Sequence, residues 1–204
     1  MNKNRRDEFS IIEDIAGKNA GIITTSAVEA AGINRVSLKK YVDSGKLIRE
    51  SKGIYSLSDD FPDEYKILQS RGNKMIYSFG TALYLWGLSD RIPNRLEVTV
   101  PTGYNVSRIK KDNPAVIFHY IAADKWELGI SECPNYMGNT VRVYDKERCI
   151  CDLLLNKKQV DKQLYVHAIQ KYFSADIDVM RLLAYAKIFR IEEKVRDYME
   201  ILKG

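Results

Sequence analysis

Apolar residues recur at helical spacing at Phe9, Ile12, Ile15 and Ala16, and Gly17 and Gly21 bracket the stop, so a first helix is expected here. Ile22 and Ile23 form a short β-like pair. Ser26 followed by Glu29 matches a capping box, in which each side chain satisfies an amide of the opening turn; a second, short helix is therefore expected from Ala27. Gly32 supplies the left-handed conformation that ends it, Asn34 caps a third helix, and Gly45 closes that one. Residues 46–50 and 54–57 read as strands joined by Ser51, Lys52 and Gly53. Two helices separated by a tight turn and followed by a hairpin are the pattern of a winged helix-turn-helix.

A loop containing Asp59, Asp60 and Pro62 sets an expected domain boundary near residue 60, giving domains of residues 1–60 and 61–204. Beyond it, residues 63–71 and 81–88 carry helical patterns, and 96–100, 116–122 and 141–144 carry strand patterns. From about residue 146 onward the pattern is helical throughout, over 146–155, 160–173, 177–189 and 191–203. The expected class is α+β: an N-terminal winged helix-turn-helix, then a larger mixed α/β domain whose C-terminus resembles a helical bundle. No repeat or low-complexity tract interrupts it.

With 45% hydrophobic and 29% charged residues, the 204-residue chain has enough apolar material for packed cores. Its longest apolar runs, 82–88 and 150–155, fall far short of the roughly 20 residues that span a bilayer, so no membrane partner is expected. The polar, basic start followed by Asp7 and Glu8 matches neither a secretion signal nor a transit peptide, and a cytoplasmic location is expected. Cys133, Cys149 and Cys151 make an odd, sparse set that argues against a disulfide framework.

The net charge of +5 permits a polyanionic partner without demanding one; its distribution is more informative. Between Ile33 and Gly53 lie Arg35, Lys39, Lys40, Lys46, Arg49 and Lys52, against only Asp43 and Glu50. On a helical wheel Leu38, Tyr41 and Val42 share one face, and Val36, Lys39, Lys40 and Asp43 lie opposite with Arg35 beside them. Such a face suits the DNA major groove: Arg and Lys donate to guanine edges or phosphate, and Val touches a thymine methyl. Arg35, Val36, Ser37, Lys39 and Lys40 are the expected readers, and Lys46, Arg49 and Lys52 of the wing are the expected phosphate anchors. The competing account is a solvated basic surface on a winged helix that binds protein.

In the C-terminal part, Lys157, Lys158 and Lys162 cluster at one helix start, and Lys187, Arg190 and Lys194 are spaced i, i+3 and i+7. They suggest a functional basic surface, with solvated helix faces as the plainer account, since Glu192 and Arg196 form an ordinary i, i+4 pair. Asp90, Glu97 and Lys110 are the only set resembling a metal-dependent nuclease, and no second carboxylate stands at ligand spacing; no catalytic residue is expected. Cys149 and Cys151 project to different helix faces and His119 and His167 lie far off, so neither zinc nor another metal is expected, and the thiols read as buried apolar groups. His167, beside Tyr165 and Ile169, reads as structural. Gly72, Gly80, Gly87 and Gly103 match no phosphate-loop spacing, and no cofactor is expected. Trp86 and Trp126 read as core residues.

The wing sequence Gly45-Lys46-Leu47-Ile48-Arg49 with Gly53-Ile54-Tyr55-Ser56-Leu57 resembles that of the AbiEi family, antitoxins of AbiE abortive-infection systems. So does the run from Ser78 through Phe79-Gly80-Thr81-Ala82-Leu83-Tyr84-Leu85-Trp86-Gly87-Leu88 to Pro93, followed by Glu97-Val98-Thr99-Val100-Pro101 and Gly103-Tyr104. The resemblance implies a repressor that binds inverted repeats in duplex operator DNA. It also implies a C-terminal domain that counters a nucleotidyltransferase-like toxin in a type IV system, without a stable complex. The alternatives are a stand-alone regulator whose C-terminal domain senses a ligand or protein, and a nuclease. No heptad marks a dimer helix, so a monomer that cooperates on DNA is expected.

Overall fold

The computed structural model describes residues 7–203 and divides by contacts into two compact units, Met1–Arg71 and Gly72–Gly204. The first contains α1 (Glu8–Lys18), β1 (Ile23–Thr24), α2 (Thr25–Ala30), α3 (Arg35–Asp43), β2 (Leu47–Ser51), β3 (Ile54–Leu57) and α4 (Glu64–Ser70). The strands form an antiparallel sheet in the order β1-β3-β2. One apolar cluster, Ile12, Ala16, Ile23, Val28, Ile33, Leu38 and Leu47, takes a residue or more from each of the first three helices and from β1 and β2. That cluster fixes α3 against the scaffold by its inner face alone.

Two local expectations are corrected. The cap of α2 is Thr24, whose hydroxyl accepts from the Ala27 amide at 3.1 Å, in place of Ser26. Thr24 is still extended as the last residue of β1, so the helix starts earlier than the Ser26–Glu29 pattern suggests, and Ser26 lies within its first turn. Ser51, expected in the hairpin turn, is the last residue of β2, because a register shift between Arg49 and Ser51 keeps it paired with Ile54.

The second unit contains β4 (Ile76–Tyr77), α5 (Phe79–Leu85), β5 (Glu97–Pro101), α6 (Ser107–Asp112), β6 (Ile117–Ile121), α7 (Ala123–Trp126), β7 (Ile130–Pro134) and β8 (Thr140–Tyr144). Four helices follow: α8 (Lys146–Leu155), α9 (Lys162–Phe173), α10 (Val179–Phe189) and α11 (Glu192–Lys203). The sheet runs β6-β5-β4-β8-β7, with β5–β6 and β4–β8 parallel and the other pairs antiparallel. The expected α+β class is borne out in both units.

Packing against α5, α9 and α10 surrounds α8, which buries every residue from Glu147 to Leu154. Its most unusual member is Arg148, only 1% exposed. Its Nε donates to Asp152 at 3.0 Å and its Nη1 to the carbonyls of Lys125 and Leu128, while the guanidinium lies over the rings of Tyr144 and Phe189. A charge taken so far from water is tolerable only with this degree of pairing. Among the described residues, no helix is long and apolar enough to cross a membrane.

Candidate nucleic-acid interface

Asn34 starts α3, its side chain accepting from the Val36 amide at 3.0 Å, and Gly32, at φ +81°, turns the chain between α2 and α3. Leu38 is fully buried, and this anchors the helix with the opposite face outward. Arg35, Lys39, Lys40 and Asp43 are exposed on that face, and Val36 stands 57% exposed among them. Ser37 is half-buried. Among the described residues Arg35, Lys39 and Lys40 have no ion-pair partner.

The wing is tied to the helices at its tip. The Gly53 carbonyl accepts from the Thr25 amide at 2.9 Å, and Gly53 itself sits at φ +77°, where a Cβ would lie 3.3 Å from the Thr25 hydroxyl. Lys52 and Arg49 are exposed along the hairpin. Lys46 is exposed too, with its ammonium 4.5 Å from the centre of the Phe9 ring, so it is held against α1 rather than at the wing tip. Glu50, the acid of the wing, accepts from Ser56 at 2.6 Å. Sequence reasoning overlooked Ile48, which is 45% exposed beside Arg49. Its signal was available: strand alternation places it on the face opposite buried Leu47.

Four of the six C-terminal basic residues line common hollows. Arg190 adopts a left-handed conformation, φ +58°, between α10 and α11, which breaks the helical register that spaced Lys187, Arg190 and Lys194. Lys157, Lys158, Lys162 and Lys194 instead line two neighbouring hollows along α9 and α11, of about 440 and 640 Å3. Lys157 donates to the Tyr198 hydroxyl at 3.1 Å, and the Tyr165 hydroxyl does so at 3.0 Å. Burial pushes the Tyr198 phenol up, but these hydrogen bonds and the charges of Lys157 and Lys194 outweigh it and leave the phenol below its ordinary value.

The nuclease-like set has other engagements. Asp90, an exposed carboxylate, accepts from Lys171 at 2.9 Å and lies 3.5 Å from His167, so His167 stands at the surface of α9. The hydrogen bond and charge of Lys171 hold Asp90 below its ordinary value. Glu97 accepts from the Gly80 amide at 3.1 Å and from His119 at 2.8 Å, and its own amide donates to Thr81 at 2.8 Å. Lys110 lies apart from both, on α6. Among the described residues no group of His, Cys, Asp and Glu is arranged to hold a metal.

These bonds also explain the run from Ser78 to Trp86. Phe79 takes φ +45° and packs its ring 4.1 Å from that of His119; a Cβ at Gly80 would meet the Glu97 carboxylate at 2.8 Å, so a larger residue there would displace that carboxylate. The Trp86 indole donates to the Tyr144 carbonyl at 2.7 Å and that of Trp126 to Thr99 at 3.4 Å. The run is the set of contacts that seats α5 on the sheet.

A family described as "Transcriptional regulator, AbiEi antitoxin" matches residues 10–58, which span α1 to β3. No curated protein matches the sequence. Among solved structures, the RV2827C protein from Mycobacterium tuberculosis shares the fold with a TM-score of 0.61, at 13% identity over 87% of this chain and 70% of that one.

Proposed function

We propose that this chain, whose residues 10–58 match a family described as AbiEi-antitoxin transcriptional regulators, represses its own operon by binding inverted repeats in duplex DNA. The observation that carries the reading is the exposed, unpaired basic face of α3, held outward by buried Leu38. Arg35, Val36, Ser37, Lys39 and Lys40 enter the major groove, and Arg49 and Lys52 of the wing follow the phosphates. Lys46 contributes at shorter reach, because its ammonium is retained over Phe9.

In the same reading, the second unit counters a nucleotidyltransferase-like toxin of the operon, as part of a type IV system acting in phage abortive infection, and does so without a stable toxin complex. The protein works in the cytoplasm by binding, as a monomer that cooperates on paired repeats, and not as an enzyme. Support comes from the family match and from the resemblance of the α5–β5 sequence to that family.

The test is a pair of assays in one host. The chain is expressed beside a reporter driven by its own upstream region, and beside the neighbouring gene. Repression together with rescue from growth arrest is expected. Full reporter activity in the presence of the folded protein contradicts the repressor assignment, and persistent arrest contradicts the antitoxin assignment.

A further inference from the structure

From the groove along α9 and α11 we infer a binding site for an amphipathic organic anion, an aliphatic body carrying a carboxylate, independent of the DNA-binding face. The larger hollow, about 640 Å3, is walled by Val160, Val166, Ile169 and Leu202, and its rim carries Lys157, Lys158 and Lys162. Val166 and Leu202 remain 42% and 37% exposed, so apolar surface is left uncovered between two helices. The volume falls within the range of small-molecule sites, roughly 300–1,000 Å3.

Charge decides the polarity of the occupant. Among the described residues Lys158, Lys162 and Lys194 form no ion pair, and Asp197 is the one acid lining either hollow. Lys157 is already committed: it bonds Tyr198 and lies 5.4 and 5.8 Å from the centres of the Tyr165 and Tyr198 rings. Lys158 and Lys162 are thus the cations left for an anionic head group.

Size and lining decide its class. Four aliphatic side chains desolvate one small molecule and fall far short of the roughly 800 Å2 per partner that a stable protein interface buries. A nucleotide base stacks on aromatic faces, and here Lys157 stands over the Tyr165 and Tyr198 rings while Gln170 is the one neutral amide side chain of the lining, beside four aliphatic walls. An acyl chain requires only the aliphatic walls.

The experiment uses the full chain and decanoate, with binding followed by calorimetry and by displacement of the anionic fluorophore anilinonaphthalene sulfonate. Saturable one-site binding is expected, weakened about tenfold or more by Lys158→Glu with Lys162→Glu and by Val166→Asp, all at exposed positions. Circular dichroism and the melting temperature verify that each variant is folded. Adenosine monophosphate is expected not to displace the fluorophore. Absence of decanoate binding, equal binding by the folded variants, or displacement by the nucleotide at decanoate concentrations overturns the assignment. So does fluorophore binding that tracks self-association of the protein in sedimentation. None of these results bears on whether the chain binds its operator, which is read separately.

Discussion

At the residue scale, burial sets the chemistry of the three thiols. It pushes Cys133 up to about 11 and Cys151 up to about 12, and raises Cys149 well above the ordinary thiol value, with neighbouring carboxylates such as Asp152 adding to the effect at the two helix positions. Thiolate is the reactive species, so the folded protein should leave all three unmodified by a thiol-specific disulfide reagent at pH 8, and denaturant should release all three. Rapid native labelling would contradict this. The linkage has a definite sign. An unfolded thiol ionises near about 8.5, below the folded values, so stability is intact below that pH and declines as pH rises from there toward the folded values. Urea midpoints at pH 7.5 and 10 measure it, and the midpoint at pH 10 should be lower.

At the element scale, the cap of α2 separates two readings of one stretch of sequence. Thr24→Ala removes the acceptor of the Ala27 amide and should cost about 1 kcal/mol, whereas Ser26→Ala, in the exposed first turn, should change stability by a few tenths. Denaturant titration of both variants checks it, and the reverse order would restore Ser26 as the cap. Long periodic elements were legible in sequence: α1, α3, the wing strands and the four terminal helices all lie within a few residues of expectation. Short or fully buried elements were not. β4 has two residues, Ile76 and Tyr77, both wholly buried; its position at the centre of the sheet is decided by partners on β5 and β8 distant in sequence. β7 is hidden because Ser131, Cys133 and Pro134 carry weak strand preference, and its pairing with β8 supplies what local sequence lacks. The face of α3 was fully legible because it depends on helical periodicity alone. The division of the lysines around α9 and α11 was not, since it follows from the left-handed turn at Arg190 and the tyrosine pair.

At the scale of the whole molecule, the modest net charge of +5 conceals local concentrations of basic residues within each of the two units. Exposed cations sit on α3 and the wing in one unit, and around an apolar trough in the other. Contacts to phosphate release counterions, so operator affinity should fall steeply with salt, whereas binding in the trough should depend far less on it. The fold shared with RV2827C at 13% identity fits a framework held by burial and backbone pairing, on which surface residues vary.

The central claim is that the outer face of α3 reads DNA, and its most direct test is titration of a labelled duplex from the upstream region of the gene, followed by fluorescence anisotropy. The account predicts tight, salt-sensitive binding by the native chain and a loss of about a hundredfold or more in the folded variant carrying Arg35→Ala, Lys39→Ala and Lys40→Ala, each lost contact weakening the complex. Binding of the same duplex by that variant with native affinity would contradict it.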